Sequence, residues 1–190
     1  MKHGDMTETL VASQTVFEGR LLRVKCDMVS LHDGKPATRE YVEHNGAVMI
    51  VPLLDSGELV MERQYRYVLG RHCLEFPAGK IDPGEEPLAT GRRELLEETG
   101  YVAREWIYLT TIHPTVAYST ERILVYLARG LEHRGSKLDE GEFLEVLTLS
   151  PAALLELVRS GEISDVKTVI GAFWLEKLLR GDWRAGPALA

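Results

Sequence analysis

Cysteine is scarce in this sequence of 190 residues, which contains only Cys26 and Cys73. The two residues stand far apart, without the paired spacing of a zinc site or the several pairs of a disulfide framework. We therefore interpret both as reduced thiols in the core or close to the surface. No low-complexity tract and no internal repeat is present, and the length suits one domain with a small appendage.

Positive charge and long apolar runs are also in short supply. Lys and Arg total 22 against 29 Asp and Glu, which gives a formal net charge of −7. A surface that coats nucleic acid needs Lys and Arg in excess, so we expect no nucleic-acid partner. No stretch approaches the roughly 20 apolar residues of a membrane span, and residues 1–13 lack an apolar run of signal-peptide length. We expect a soluble, cytoplasmic protein without a membrane partner.

Strand patterns dominate the first third of the chain. Residues 47–54 form a continuous apolar run, which is typical of a strand buried on both faces. Residues 55–57 then predict a turn into a hairpin partner. Periodicity predicts further strands over residues 15–17, 21–31, 38–43, 58–64, 106–112, 122–128 and 143–149. Residues 130–141 are polar and charged, and they predict a loop.

Three helices are predicted in the rest of the chain. The first covers Pro87–Thr99, with Gly100 as its C-terminal cap and an apolar stripe of Leu88, Ala89, Leu95 and Leu96. Two more, Pro151–Ser160 and residues 165–179, follow late and are separated by Gly161. Early strands, one inserted helix and late helices indicate an α+β fold with a mixed sheet packed between helices.

An acidic cluster on the first predicted helix is the most informative feature. Glu94, Glu97 and Glu98 stand at i, i+3 and i+4, so their carboxylates share one face. Mutually repelling oxygen ligands are what a hard divalent cation requires, and Mg²⁺ or Mn²⁺ suits them best. Arg93 can brace this face by pairing with Glu85 or Glu97. Taken alone, the triplet is more often an exposed, solvated helix face.

The residues around the triplet decide in favour of the metal site. Residues 79–101 read GKIDPGEEPLATGRRELLEETGY, and this spacing of Gly, Glu, Arg and apolar positions matches the Nudix box throughout. The chain thus resembles the Nudix hydrolases. Residues 63–66, 74–79, 139–143 and 165–168 are further similar to the ADP-ribose pyrophosphatase branch, and the resemblance covers roughly residues 15–179.

The resemblance implies a fold and an assembly. The fold is the Nudix α/β/α sandwich with a mixed central sheet, preceded by an N-terminal antiparallel sheet subdomain. We expect that subdomain at residues 1–45, the hydrolase domain at 46–180 and a C-terminal tail at 181–190. We also expect a homodimer that exchanges the N-terminal sheet, as is usual in this branch.

The resemblance also implies an activity and its residues. The activity is Mg²⁺-dependent hydrolysis, with Mn²⁺ as an alternative ion, of the pyrophosphate bond of ADP-ribose or a related nucleoside diphosphate sugar. The implied metal ligands are the Ala78 carbonyl, Glu94, Glu97, Glu98 and Glu142. Glu140 is then the candidate base, although the residues alone do not separate the roles of Glu140 and Glu142. The catalytic set also includes Arg93, and the implied substrate-binding residues are Arg39, Glu40, Arg66, Ala78, Gly79 and Glu121.

The chemistry agrees with these roles. A pyrophosphate is anionic, so attack by water needs neutralised charge and an aligned nucleophile. Metal ions on a carboxylate cluster supply both, because they polarise phosphoryl oxygens and lower the pKa of bound water. Arg66 resembles the arginine that contacts the diphosphate, for which a planar donor fork is well suited. Arg39 and Glu40 fall where the branch holds the nucleoside end.

One segment departs from the branch and leaves the substrate open. Residues 113–122 read HPTVAYSTER, where the branch has a glycine-containing loop before a Ser-x-Glu-Arg element. Bulkier Val116 and Tyr118 can reshape the pocket for the terminal sugar, so GDP-mannose is an alternative to ADP-ribose. Two other functions stay open: a Nudix hydrolase of oxidised nucleoside triphosphates, dinucleotides or capped RNA, and a catalytically silent nucleotide-sensing module. The intact glutamate triplet argues against the silent module.

Overall fold

A three-stranded antiparallel sheet opens the structure, a computed structural model that describes residues 6–135 and 143–189. Its strands are β1 (Thr9–Glu18), β2 (Arg23–Ser30) and β3 (Pro36–Glu43), in that order across the sheet. The end of β3 is tied to a later loop, because the Val42 N–H donates to the Tyr118 carbonyl at 2.9 Å. This bond attaches the N-terminal sheet to the rest of the molecule.

A second sheet forms the centre of the protein. Within the described residues it has eight strands: β4 (Ala47–Leu53), β5 (Leu59–Arg66), β6 (Arg71–Glu75), β7 (Ala78–Lys80), β8 (Tyr101–Ile112), β9 (Ile123–His133), β10 (Leu144–Leu149) and β11 (Ala188–Leu189). The main order is β10-β5-β4-β9-β8-β11, with β6 paired to β5 and β7 paired to β4. The β4–β9 pair is parallel and the other pairs are antiparallel, so the sheet is mixed, as predicted.

Helices cover both faces of this sheet. They are α1 (Pro87–Thr99), α2 (Pro151–Ser160) and α3 (Val166–Leu179). Successive residues of β4 point to opposite faces, so Val48 and Ile50 pack in the cluster of α1, whereas Met49 and Val51 pack in the cluster of α2 and α3. The α/β/α sandwich and the α+β class are therefore confirmed. None of the helices in residues 6–135 and 143–189 has the length and apolar character needed to cross a membrane.

The apolar stripe predicted for α1 is wrong in part. Ala89 is exposed and Leu88 and Leu96 are only half-buried, whereas Leu95 is fully buried. The core-facing side also contains Thr90, Gly91 and Thr99, and it extends to the carboxylate-bearing Glu98. Small residues replace large ones here because α1 lies close to the sheet: a Cβ on Gly91 would stand 3.2 Å from Val48 and 3.3 Å from Trp106. The acidic face and the core face therefore meet at Glu98.

A gap between β4 and β5 positions the candidate site. These two strands pair only at Leu53 and Leu59 and then diverge. β6 pairs with β5 on one side of the gap, and β7 pairs with β4 on the other side. Between β6 and β7, the Pro77 carbonyl accepts the Ile50 N–H at 2.9 Å. The segment that leads into the Nudix box therefore runs through the opening in the sheet.

Several strand predictions need correction. β1 begins at Thr9 and not at residue 15, and β11 lies within the tail predicted for residues 181–190. β6 and β7 were not predicted, because Arg71–Glu75 alternates weakly in polarity and Ala78–Lys80 is too short for a periodic pattern. β8 begins at Tyr101 and not at residue 106. β9 continues to His133, so residues 130–133 are strand and not loop. Gly130, with a positive φ of 63°, resembles a chain breaker in the sequence, yet the strand continues through it to pair with the start of β8.

Candidate active site

Arg93 organises the acidic face of α1. Its Nε and Nη2 donate to the two carboxylate oxygens of Glu85, at 3.0 and 3.1 Å. Its Nη1 donates to Glu94 at 2.9 Å and to Glu97 at 3.1 Å. The hydrogen bond from Arg93 is the largest of the effects that lower the pKa of Glu85 to about 2. One guanidinium thus gathers three carboxylates, and both ion pairs that the sequence suggested are present.

Gly79 explains how the strand and the helix approach each other. A Cβ built on Gly79 would lie 1.8 Å from the carboxylate carbon of Glu94, a distance that no side chain tolerates. β7 therefore passes directly beneath the Glu94 carboxylate, and any residue other than glycine would displace it. Glycine at this position leaves room for the Glu94 carboxylate, and its role is spatial because Gly79 is not among the glycines with positive φ.

Glu98 and Glu62 form a buried carboxyl pair beside this face. Glu98 is 7% exposed and accepts the Ala78 N–H at 3.1 Å, and Glu62 is 1% exposed and close enough for its charge to act on Glu98. Burial is the main cause that raises the pKa of each carboxyl group above its usual range. One oxygen of Glu62 is buried without a hydrogen-bond partner among the described residues. Sequence reasoning missed Glu62, although an acidic residue directly after the apolar run Leu59–Met61 was a usable signal.

The donor set fits a hard divalent cation. Glu62 and Glu94 both raise the pKa of Glu98 through their charges, so these carboxylates repel one another in a buried place. One oxygen of Glu62 has no hydrogen-bond partner among the described residues, so a bound cation would stabilise this carboxylate. In residues 6–135 and 143–189, no three Asp, Glu, His or Cys side chains already converge as a metal site. Arg93 holds Glu94 and Glu97 in the present arrangement.

A cleft of about 720 Å³ lies beside this cluster. Arg66 lines it and binds Glu75 through two parallel hydrogen bonds, Nε to Oε1 at 2.8 Å and Nη2 to Oε2 at 2.9 Å. Lys167 also donates to Glu75, and it donates to Asp165 at 2.8 Å. Burial alone would raise the pKa of Glu75, but the bonds and charges of Arg66 and Lys167 lower it to about 2. Glu121 and Pro114 also line this cleft.

The cleft and the acidic face are connected. Glu62 and Glu75 are directly opposed in the β5–β6 pair, so their side chains lie on the same face of the sheet. Charged residues therefore run without interruption from Arg66 through Glu75 and Glu62 to Glu98. Glu75 and Lys167 were not recognised individually from the sequence, because they are 92 positions apart.

Other residues of the predicted site lie elsewhere. Arg39 and Glu40 are on β3 and line a separate cavity of about 420 Å³, where Arg39 Nε donates to Glu8 at 2.9 Å. Residues 116–120 form a wall of that cavity, whereas Pro114 and Glu121, at the ends of the same loop, line the 720 Å³ cleft. Glu140 and Glu142 lie outside the described residues. A single chain therefore does not bring Arg39 and Glu40 into the cleft of Arg66.

Comparison with known proteins agrees with this geometry. Residues 43–168 match the family model described as NUDIX domain, and residues 8–42 match the model described as nucleoside diphosphate sugar hydrolase N-terminal domain. The chain is 37% identical over 173 residues to a Bacillus subtilis (strain 168) protein named ADP-ribose pyrophosphatase, covering 90% of this chain and 94% of that protein. It is 34% identical over 171 residues to a Bacillus methanolicus protein named methanol dehydrogenase activator, covering 89% and 92%.

A solved structure also has the same architecture. A crystal structure of an ADP compounds hydrolase superposes with a TM-score of 0.83 at 26% identity, covering 96% of this chain and 100% of that chain. The domain match extends over well over half of the sequence, and it includes the box helix, Gly79 and Glu62. The chain belongs to the Nudix family.

Proposed function

We propose that this protein hydrolyses the pyrophosphate bond of nucleoside diphosphate sugars, with ADP-ribose as the first candidate, to a nucleoside monophosphate and a sugar phosphate. The observation that carries the proposal is the uninterrupted row of charges from Arg66 to Glu98. It joins a guanidinium suited to a diphosphate with a carboxylate cluster suited to a divalent cation. The match of residues 8–42 to the N-terminal domain of nucleoside diphosphate sugar hydrolases supports this substrate class.

The metal ligands in this proposal are Glu94, Glu97, Glu98 and the carbonyl of Ala78, joined by Glu142. Mg²⁺ bound there would supply charge neutralisation and a water of lowered pKa. Glu62, whose buried oxygen lacks a partner among the described residues, contributes to the negative potential that favours the ion. Glu140 is proposed as the base, and Arg93 keeps Glu94 and Glu97 in place before the ion is bound.

Arg66 binds the diphosphate in this proposal, and Glu121 lines the same cleft. Glu75 occupies one edge of the Arg66 guanidinium, so the substrate meets the other edge. A pyrophosphate carries charge on both phosphoryl groups, and a guanidinium offers it a planar set of donors at little orientational cost. Hydrolysis then takes place where the diphosphate reaches the carboxylate cluster.

We also propose that the protein is a cytoplasmic homodimer in which Arg39 and Glu40 hold the nucleoside end. Exposed apolar residues on β1 and the following turn support an assembly through the N-terminal sheet, among them Leu10, Val11, Val16, Phe17 and Leu21. A partner sheet would cover these residues. Light scattering at micromolar concentration is the measurement, and a monomer there would contradict the dimer.

A substrate panel tests the proposed function. The purified protein with Mg²⁺ is assayed against ADP-ribose, GDP-mannose, UDP-glucose, NADH, a diadenosine polyphosphate and dGTP, and the products are separated by chromatography. AMP and ribose 5-phosphate as the main products support the ADP-ribose assignment. A preference for GDP-mannose would make residues 113–122 the specificity determinant. Turnover of dGTP without turnover of any nucleotide sugar would overturn the proposal.

The relative named methanol dehydrogenase activator favours a second candidate function, the activation of a dehydrogenase. A methanol dehydrogenase assay with added protein distinguishes this function from hydrolysis alone. Stimulation by the wild type but not by Glu98→Gln would mean that activation depends on hydrolysis. Stimulation by both proteins would favour a binding role.

A further inference from the structure

The first turn of α3 belongs to a segment that the sequence already singled out, residues 165–168, and the proposed function leaves it unused. Asp165 caps the helix, since its Oδ2 accepts the Thr168 N–H at 3.0 Å and the Thr168 hydroxyl at 2.7 Å. Lys167 donates to the same Oδ2 at 2.8 Å and also to Glu75. A cap needs only Asp165 and Thr168, so the direction of the Lys167 side chain requires another explanation.

Two consecutive residues of this turn hold the last residue of β6, Glu75, and the residue that follows it, Phe76. Lys167 holds the carboxylate of Glu75, and the Thr168 hydroxyl accepts the Phe76 N–H at 3.1 Å. Lys167 is 9% exposed and Glu75 is 3% exposed, so solvent screens their ion pair only weakly. The start of α3 therefore fixes both the backbone and the carboxylate at the edge of the cleft.

Glu75 in turn fixes Arg66. Its two oxygens accept from the Nε–Nη2 edge of the guanidinium, which sets the plane of the group and leaves the Nη1 amino group for a ligand. Lys167 holds the same carboxylate from the other side, and its bond to Asp165 fixes the ammonium group at the start of α3. Glu75 is therefore held between two cations, and its carboxylate cannot turn away from Arg66.

We propose that Lys167 is a positioning residue for diphosphate binding. It acts through Glu75, whose carboxylate it holds in place, and it thereby presents the Nη1 edge of Arg66 to the substrate. This inference rests on the proposed function, because the diphosphate is the ligand of Arg66. It gives residues 165–168 a role in substrate binding as well as in capping α3.

The test compares Lys167→Met with Lys177→Met. Lys177 lies on the same helix, pairs with Asp182 at 3.1 Å on the surface and does not line the cleft, so it controls for the loss of a helix lysine. For ADP-ribose with Mg²⁺, Lys167→Met should raise KM about tenfold while kcat changes less than about threefold. The charge-retaining Lys167→Arg should restore most of the binding. A KM equal to that of the wild type in folded Lys167→Met would overturn the inference.

A double-mutant cycle separates positioning from a general structural role. If Lys167 acts through Arg66, Lys167→Met should add less than about twofold to the KM of Arg66→Ala. Effects that multiply would show that Lys167 acts independently of Arg66, and the inference would be wrong. Should Lys167→Met not fold, Lys167→Gln removes the charge, keeps a hydrogen-bond donor and answers the same question.

Calorimetry with a non-hydrolysable α,β-methylene analogue of ADP-ribose measures binding without turnover. Binding about tenfold weaker in Lys167→Met and unchanged in Lys177→Met supports the positioning role. Equal affinity in the wild type and in folded Lys167→Met overturns the inference alone. An analogue that binds normally, in a protein that hydrolyses no nucleotide sugar, overturns the proposed function and leaves the inference intact.

Discussion

The two charged clusters beside the cleft differ in composition and therefore in the ligand each can accept. Around Glu98, buried carboxylates lie together and one oxygen of Glu62 has no partner among the described residues. Around Glu75, one buried carboxylate is shared by two cations, Arg66 and Lys167. The first cluster gathers carboxylates and suits a cation, whereas the second holds Arg66 so that its Nη1 amino group is left for an anion. Their adjacency is what a metal-dependent enzyme for anionic substrates requires.

Glu98→Gln should have the largest effect and should break the acidic cluster. The change removes one ligand charge without removing a core contact, so kcat should fall by several orders of magnitude while the fold stays intact. Steady-state kinetics at saturating Mg²⁺, with circular dichroism as the folding check, is the measurement. Glu86→Gln, an exposed position at the start of α1, is the matched control and should turn over normally. Near-normal turnover of Glu98→Gln would contradict the metal assignment.

Glu75→Gln should break the other cluster and lower stability by about 3 kcal/mol at pH 7, since two cations lose their shared carboxylate. The pKa of Glu75 in the folded protein, about 2, is below its value in the unfolded chain. Its contribution is therefore present above the unfolded pKa and is lost as the pH falls from about 4.5 towards 2. Urea unfolding at several pH values should show the two proteins converging in acid. Glu145→Gln, which removes the exposed partner of Arg63, should stay within about 0.5 kcal/mol of the wild type.

Arg66→Ala should weaken substrate binding by about 2–3 kcal/mol through the loss of a charge-assisted contact. We expect the change mainly in KM, because Arg66 contacts the diphosphate equally in the bound substrate and in the transition state. Arg63→Ala is the control on the same strand, since Arg63 pairs with Glu145 at the surface and does not line the 720 Å³ cleft. An unchanged KM in Arg66→Ala would place the diphosphate elsewhere.

Glu62→Gln should sharpen the comparison, because this substitution should raise the stability of the folded protein, whereas Glu75→Gln should lower it. Burial raises the pKa of Glu62, so in the absence of metal this residue costs stability as the pH rises above its unfolded pKa of about 4.5. In EDTA at pH 8 the variant should therefore be more stable than the wild type, by about 1 kcal/mol. Melting temperatures between pH 5 and 8 test this, and added Mg²⁺ should stabilise the wild type more than the variant. A less stable variant at pH 8 would show that Glu62 is simply a satisfied core residue.

The sequence was informative where function depends on short spacing. The box spacing predicted the ion pairs of Arg93 with Glu85 and Glu97, and it placed Gly79 next to the acidic face. These contacts lie within one loop and one helix, so local geometry determines them. The α/β/α sandwich was also predictable, because the buried β4 and the late helices have clear hydrophobic patterns.

The remaining features depend on contacts between distant segments. Lys167 meets Glu75 across 92 positions, and Glu62 meets Glu98 only because β5 diverges from β4 and faces α1. The hydrophobic periodicity of each segment does not predict these contacts between segments. The placement of Arg39 in a separate cavity likewise follows from how the N-terminal sheet attaches through Val42 and Tyr118. Propensity and spacing carry no information about that attachment.

The last strand of the central sheet has a consequence for the behaviour of the protein in solution. Ala188 and Leu189 pair with Ile107 and Trp106, and Trp183 packs on Trp174 of α3 with ring centroids 4.4 Å apart. β8 would otherwise offer a row of free backbone donors and acceptors to any other extended chain, the usual starting point of edge-to-edge aggregation. The fold-back of residues 181–189 covers part of that edge with the protein's own backbone, and its removal should make the protein more prone to self-association on heating.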